Sequence, residues 1–362
     1  MAGYKRPTVQ QRLAATRPSG RAFGAGKPKG AGPATDEVPA DSTFPAPLVL
    51  PGDELSFDPK YPPQSFRSWK QLKERNAVTD RRRTIYVVAP PKVTQDVQFV
   101  DHWAVPEGIA DAIKAPAVED IVNYLQAFYH GLPVRVLHEP ELCFVDWEDG
   151  VRKKVSSESD RARKPRDVAL ATGSEAIHIR VRKYESFPAQ LNLNNLLDVA
   201  ISILPDDAYA LLMIVNHDLY EDEDDDFCCG RAYGGSRVAV VSTASPTLGT
   251  TQSRRHLELL WLSRVCKTAS HELGHCFGID HCIYYACVMQ GTAGLSEDAR
   301  QPPYVCPVDS AKLLTATGAD EMDWLRALLG FCERFGDDAL FAAFAAWLRV
   351  RLEEVGVKDL EE

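Results

Sequence analysis

The pattern of hydrophobic positions along the chain changes at about residue 83. Beyond that point, short runs of β-branched and apolar residues alternate with longer stretches in which apolar residues recur every three or four positions. The short runs indicate strands, and the longer spacing indicates amphipathic helices. The predicted strands are residues 84–89, 133–137, 176–181, 209–216 and 237–242, and the predicted helices are residues 118–130, 193–204, 254–277, 321–335 and 337–355.

Strands and helices in this order predict an α/β fold, in which a sheet is covered by helices. Residues 147–174 are charged and irregular, so we expect a surface insertion there. Residues 61–362 are predicted to form one domain, with an upper lobe that ends near residue 277 and a lower lobe that begins at residue 278. The last two helices carry no evident chemistry and are expected to pack on this domain.

Residues 1–60 differ in composition from the rest of the chain. Eleven of the 24 prolines lie within the first 63 positions, among many Gly, Ala and Ser residues. Such a segment buries too little apolar surface to offset its chain entropy, so it is predicted to be a disordered, basic, proline-rich tail. The first 35 residues contain seven Lys or Arg and no acid, which leaves a mitochondrial presequence as the alternative.

The charge of the chain restricts its partners and its compartment. The whole chain carries −10 and its first 35 residues carry +7, so residues 36–362 carry −17. A body this acidic repels a phosphate backbone, which argues against nucleic acid as a partner. No run of eighteen apolar residues predicts a membrane span, and the first thirty residues lack the apolar centre of a secretory signal. We therefore expect an intracellular, cytoplasmic protein whose clustered cysteines are metal ligands.

The densest group of metal-binding side chains is the stretch HELGHCFGIDHC, residues 271–282. His271 and His275 are four positions apart, so both imidazoles lie on one face of a helix and can bind one ion. Glu272 can then reach a water molecule on that ion and act as the general base. The sequence therefore predicts an active-site helix that ends just after these residues.

The third ligand has to approach from another direction. Gly278 predicts a left-handed helix end, and His281 lies three residues beyond it. Three neutral imidazoles, with one coordination position left open, are typical of a catalytic zinc site.

The pattern HExxHxxGxxH followed by a methionine resembles the metzincin metallopeptidases. Met289, eight residues after His281, stands where the methionine beneath the metal is found in that group. The stretches HCIYYACVMQG (281–291) and PPYVCPVD (302–309) resemble the archaemetzincin family, and a looser resemblance extends over residues 83–314. It implies a metzincin-like zinc-peptidase domain with a twisted mixed sheet, an active-site helix, a methionine turn and C-terminal helices.

The resemblance also implies a second zinc ion, bound by Cys282, Cys287 and Cys306. The family pattern ends in Cys-x-x-Cys, whereas Asp309 occupies the last position here. Since a carboxylate is a competent zinc ligand, we predict Asp309 as the fourth ligand and two zinc ions per chain. One alternative is that Asp309 only caps the helix that follows it. Another is that Cys276 is the fourth thiolate, although it lies on the active-site helix beside a ligand.

Two further features allow two interpretations each. The acidic run EDEDDD, residues 221–226, is interpreted as a solvated loop, and the alternative is a cleft wall that prefers basic substrates. Tyr284, Tyr285 and Tyr304 are interpreted as packing over the zinc loop, and the alternative is that they donate hydrogen bonds to an oxyanion.

The sequence thus predicts a zinc metallopeptidase for peptide or protein substrates, with a zinc-bound water and Glu272 as the general base. The substrate is expected to pair with residues 237–242 as the edge strand. The alternative is a catalytically weak zinc protein that acts as a scaffold or peptide-binding module, and a hydrolase of non-peptide bonds is a third reading. The intact Glu272 argues against the scaffold, because binding needs only the histidines. The residue spacing assigns neither a scissile bond nor an oligomeric state.

Overall fold

A computed structural model of the protein describes residues 3–16, 43–104, 113–147, 166–173, 175–183, 188–223, 226–244 and 253–358. Its strands are β1 (Thr84–Val88), β2 (Lys92–Val93), β3 (Val134–Leu137), β4 (Cys143–Asp146), β5 (Val168–Ala171), β6 (Ala176–Ile179), β7 (Val181–Arg182), β8 (Gln190–Asn192), β9 (Ala208–Val215), β10 (Leu219–Tyr220), β11 (Gly230–Tyr233) and β12 (Val238–Ser242). Its α-helices are α1 (Val9–Thr16), α2 (Glu54–Phe57), α3 (Phe66–Lys70), α4 (Val118–Phe128), α5 (Leu193–Ser202), α6 (Arg254–Cys276), α7 (Leu295–Asp298), α8 (Pro307–Thr317), α9 (Glu321–Glu333) and α10 (Ala339–Lys358), and 3₁₀ segments cover Gln95–Ala104 and Gly234–Ser236.

The central sheet has the strand order β11-β12-β9-β1-β3. Strands β12, β9, β1 and β3 run parallel to one another, with Val87 opposite Leu212 and Leu212 opposite Ala239, whereas β11 runs antiparallel to β12. Two smaller sheets have the orders β10-β8-β7 and β2-β4-β5-β6. The predicted α/β class with a mixed sheet, a long helix and C-terminal helices is confirmed.

Both faces of β9, the middle strand of the central sheet, are buried, which explains why this strand is an unbroken apolar run. Successive side chains of a strand point to opposite faces, so Leu212 and Ile214 join the core that contains α4 and α6. Leu211 and Met213 join a second core, which contains α5 and the smaller sheets. The sheet therefore fixes the position of α6 through one of its two faces.

The edge strand beside the active-site helix is β11, so the prediction that residues 237–242 form the edge is wrong. Strand β12 lies between β11 and β9, and both of its backbone edges are already paired. Within the described ranges β11 has a single strand neighbour, which leaves its other edge unpaired. The sequence does not reveal this strand because GRAY, with a glycine and a charge, lacks the apolar run of a buried strand.

The predicted surface insertion at residues 147–174 is only partly described. Residues 148–165 lie outside the described residues. The prediction is wrong for residues 168–171, because they form β5, and Val168, Ala169 and Leu170 are fully buried in it. This apolar strand is short and follows a long charged stretch, so the sequence pattern did not predict it.

The predicted disordered tail is wrong for residues 43–60, which are folded against the domain. Leu55 is 4% exposed. Phe44 is equally buried and packs edge-on against three aromatic rings, those of Tyr285, Tyr304 and Trp347. Composition indicates whether a segment can fold by itself. Residues 43–60 are instead held by contacts with elements far away in the chain.

Helix α1 also lies within the predicted tail and buries Ala15. Near it, the Tyr4 hydroxyl donates a hydrogen bond of 2.7 Å to the carbonyl of Ile283. Residues 17–42 lie outside the described residues, and the division into lobes near residue 277 stays a prediction. Every helix that the structure describes is too short or too polar to cross a bilayer.

Candidate metal centre

Helix α6 carries the first two histidines and ends immediately after them. Gly278 has φ of +72°, the left-handed conformation that glycine adopts at little cost. The N–H groups of Gly278 and Ile279 donate to the carbonyls of His275 and Gly274, which satisfies the end of the helix. The predicted helix end at Gly278 is confirmed, and it turns the chain back toward His281.

Three imidazoles meet in a cleft beside this helix end. The Nε2 atom of His271 lies 3.1 Å from Nε2 of His275 and 3.3 Å from Nε2 of His281. Zinc–nitrogen bonds of about 2.0–2.1 Å in a tetrahedral site separate two ligand atoms by about 3.3 Å, so this group fits a zinc ion. Each Nδ1 lies 2.7 Å from an oxygen that can accept its proton, and the acceptors are Val288 O, Ile279 O and Glu54 Oε1. Donation through Nδ1 leaves each Nε2 lone pair for a metal.

The surroundings of the three histidines set their pKa values. Burial lowers the pKa of His275 to about 4, and it lowers the pKa of His271 well below the usual range. Burial acts in the same direction on His281, but the hydrogen bond with Glu54 and the negative charges of Glu54, Glu272 and Asp280 together outweigh it, so the pKa of His281 is raised. His271 and His275 are therefore neutral at pH 7, which is the form of imidazole that binds metals.

Glu272 lies in the same cleft and is 8% exposed. Its carboxylate accepts a hydrogen bond from the backbone N–H of Ala232 in β11, and burial raises its pKa to about 7. Gly230 lets this strand approach the helix closely, since a Cβ there would lie 3.1 Å from Cγ of Glu272. The carboxylate is thus held between the helix and the edge strand.

The cleft has a volume of about 870 Å³ and contains all three histidines. It is lined by residues 226–232, which include part of β11, and by residues 292–295. Asp226, at the end of the acidic run, faces the cleft, whereas Glu221 is hydrogen-bonded to Arg231. The acidic run is therefore not wholly a solvated loop; its residues 224 and 225 lie outside the described residues.

Met289 packs against the turn of α6 that lies between His271 and His275. It is 2% exposed, and a Cβ on Gly274 would come within 2.5 Å of its sulfur. Its carbonyl accepts a hydrogen bond of 2.8 Å from the backbone N–H of Cys282. The structure thus places Met289 where the resemblance implies a methionine beneath the metal.

Three cysteines and one aspartate form a second group, which we call the thiolate cluster. Sγ of Cys282 lies 3.6 Å from Sγ of Cys306, and Oδ2 of Asp309 lies 3.4 Å from Cys306 and 3.5 Å from Cys287. Zinc–sulfur bonds of about 2.3 Å and zinc–oxygen bonds of about 2.0 Å predict separations of about 3.8 Å and 3.5 Å in a tetrahedron. The four buried side chains therefore fit a second zinc ion, and Cys276 lies outside this group.

Asp309 is not the N-cap of the helix that follows. Helix α8 begins at Pro307, with Cys306 at the N-cap, so Asp309 lies within the first turn. Its second oxygen, Oδ1, lies 2.7 Å from Nζ of Lys312, and both side chains are 1% exposed. Burial opposes the charge of Lys312, but the interactions with Asp309, Cys282 and Cys306 together outweigh it, so the pKa of Lys312 is raised. A charged lysine therefore lies against the negative cluster.

Comparisons with known proteins find similarity to one group of peptidases. The model of Peptidase family M54 matches residues 182–314. Archaemetzincin-2 of Rattus norvegicus is 24% identical over 316 residues, which cover 80% of this chain and 75% of that protein. Archaemetzincin of Thermococcus kodakarensis is 36% identical over 109 residues, which cover 30% of this chain and 56% of that protein.

The chain is thus similar to the archaemetzincins, over most of its length in the case of Archaemetzincin-2. It is a zinc metallopeptidase, a hydrolase whose substrates are peptides or proteins. The solved structure of the archaemetzincin from Methanopyrus kandleri is 19% identical, with a TM-score of 0.38, and the match covers 67% of this chain and 99% of that one.

The structure also shows residues around the site that the sequence does not reveal. Gln64 forms hydrogen bonds with residues next to both metal-binding groups. Its side-chain oxygen accepts hydrogen bonds from Nζ of Lys312, at 2.8 Å, and from the N–H of Asp280, at 3.1 Å. Its side-chain nitrogen donates to the carbonyl of Gly278 at 3.0 Å. No periodic pattern marks Gln64, whereas Lys312 could have been inferred from its position three residues after Asp309 on a helix.

The tyrosines singled out in the sequence lie away from the cleft. Tyr284 and Tyr285 are 8% and 7% exposed, and Tyr304 stacks on Trp347 with ring centroids 4.4 Å apart. This is the packing role that the sequence favours. The tyrosine that lines the cleft is Tyr61, whose hydroxyl donates to Asp280.

Proposed function

We propose that this protein cleaves peptide bonds at the three-histidine site, with Glu272 as the general base. The observation that carries the proposal is the convergence of the three Nε2 atoms in an open cleft that also contains the Glu272 carboxylate; Nε2 of His271 lies 3.1 Å from that of His275 and 3.3 Å from that of His281. A protein that only bound zinc would need the histidines alone. A buried glutamate held beside them adds a group that can accept a proton.

The residues of the chain divide the chemical work among them. Zinc bound by the three histidines would polarise the substrate carbonyl and make water more acidic. Glu272 accepts the proton of the attacking water as the water oxygen bonds to the carbonyl carbon. It then delivers that proton to the amine nitrogen as the carbon–nitrogen bond breaks. The hydrogen bond from Ala232 holds the carboxylate in position for both transfers.

The substrate backbone would pair with β11. This strand forms the edge of the central sheet within the described ranges and lines the cleft beside Glu272. An extended peptide can add to such an edge through main-chain hydrogen bonds, which are independent of the substrate's sequence. Strand addition at β11 replaces the pairing with residues 237–242 that the sequence suggested.

We also propose that the chain binds a second zinc ion in the thiolate cluster and that this ion is structural. None of its four described ligands, Cys282, Cys287, Cys306 and Asp309, lines the cleft. Four protein ligands leave no open position, which is typical of structural zinc.

Replacement of Glu272 tests the catalytic proposal. Glu272→Gln keeps the size of the side chain and its ability to accept a hydrogen bond but cannot take up the proton. Cleavage of a broad peptide library should therefore fall by about 10²- to 10⁴-fold at equal zinc content. Glu258→Gln is a matched control, because Glu258 lies on the same helix and pairs with Arg254 away from the cleft.

The outcome separates the enzyme from its alternative. Undiminished cleavage by Glu272→Gln would exclude Glu272 as the base. A wild-type protein that binds peptides tightly but cleaves none of the library would favour the scaffold.

A further inference from the structure

The three histidines of the active site differ in the group that holds Nδ1. For His271 and His275 that group is a backbone carbonyl, of Val288 and Ile279 respectively. For His281 it is the carboxylate of Glu54, at 2.7 Å from Nδ1 to Oε1. A charged partner donates more electron density to an imidazole than a carbonyl does, and it fixes the ring as well.

His281 is the histidine with the greatest need of such support. It lies beyond the end of α6, and its side chain is 26% exposed. Its ring packs against that of Tyr61, with centroids 5.6 Å apart. Residues 54 and 61 therefore hold it from the same short segment, which lies well ahead of the part of the chain that matches the family model.

Glu54 is itself fixed through its own backbone N–H and through the residue that precedes it. Its N–H donates to the Glu297 carboxylate at 2.9 Å, and Glu297 also accepts a hydrogen bond from Ala293. The preceding residue, Asp53, is 3% exposed and is paired with Arg300 at 2.6 Å. An exposed ion pair between two mobile side chains contributes little, whereas here the backbone that carries the carboxylate is held in one place.

We propose that Glu54 is a positioning residue of the active site, which orients His281 and strengthens it as a zinc ligand. This inference rests on the proposed three-histidine site. Loss of such a partner typically lowers metal affinity about 10- to 100-fold, although no ligand to the metal is removed. The zinc site is thus completed by a segment more than 200 residues away from it in the chain.

Zinc affinity, measured by competition with a chelator, tests the proposal without relying on activity. Glu54→Gln should lower the affinity of the three-histidine site about 10- to 100-fold, while the zinc in the thiolate cluster and the melting temperature of the metal-free protein stay unchanged. His275→Ala identifies which ion is being measured. Asp58→Asn is the matched control, a carboxylate-to-amide change in the same segment, and it should bind zinc like the wild type.

A second variant reaches Glu54 indirectly. A Cβ on Gly291 would overlap the Glu54 carboxylate, so Gly291→Ala should displace it and lower zinc affinity in the same direction. Two results would overturn this inference and leave the proposed three-histidine site intact. One is wild-type zinc affinity in Glu54→Gln, and the other is a lower melting temperature of the metal-free Glu54→Gln protein. A wild-type protein with zinc only in the thiolate cluster would overturn both the inference and the proposed three-histidine site.

Discussion

Asp309 divides its two carboxylate oxygens between different partners. Oδ2 lies 3.4 Å from the sulfur of Cys306, while Oδ1 lies 2.7 Å from the ammonium of Lys312. A buried lysine is costly unless it is paired, so the two residues depend on each other. The carboxylate can then supply the donor that a fourth cysteine would otherwise provide, with a positive charge placed behind it.

Asp309→Ala should lose the second zinc ion and destabilise the fold. It removes one ligand and leaves the Lys312 ammonium buried without its partner, a change that typically costs about 3–5 kcal/mol. Asp309→Cys restores a fourth ligand and should retain the metal. Metal analysis and thermal unfolding measure both effects.

Asp320→Ala is the control for this prediction. Asp320 caps α9 and accepts a hydrogen bond from Asp323, so its loss should cost about 1 kcal/mol and leave the zinc content unchanged. Unaltered zinc in Asp309→Ala would show that Asp309 is not a ligand.

The elements of this protein differ in how clearly their own residues specify them. Strand β9 and helix α6 are long and regular, and the sequence predicts both because local periodicity and burial agree. The same holds for the HExxH spacing, which one helix fixes by itself. Strand β11 and the residues around Glu54 carry no periodicity, since distant contacts hold them in place. The roles of β11 and Glu54 therefore cannot be predicted from the sequence and are found only in the folded structure.

A chain that begins at Pro62 should lose the zinc of the three-histidine site. It lacks Glu54, and it also lacks Phe44 and Leu55, whose burial contributes about 1.5–3 kcal/mol each. A chain that begins at Thr43 keeps all three residues and should keep this zinc. Metal content and thermal unfolding of the two truncations provide the comparison, and equal zinc in both would contradict the role given to residues 43–61.

At the scale of the whole molecule, the two metal-binding groups are adjacent along the chain. His281 belongs to the first group and Cys282, the next residue, belongs to the second. The two sites therefore share a backbone but keep separate ligands. One lies in the open cleft, and the other is enclosed among buried side chains.

Metal analysis of protein purified without added zinc should give about two zinc ions per chain. His275→Ala and Asp309→Ala should each retain about one, because each variant removes a ligand from a different site. A wild-type value near one would rule out a second ion, and a value near zero would rule out both.

Gln64 provides a contact through which the two metal-binding groups can affect each other's zinc affinity. Its single amide contacts both Lys312, behind the thiolate cluster, and the backbone that leads to His281. Any shift of that amide on binding of one ion would change the free energy of binding the other, and such a coupling is reciprocal. Through this contact, filling the thiolate cluster would alter the zinc affinity of the peptidase site by the same factor as the catalytic ion alters that of the cluster.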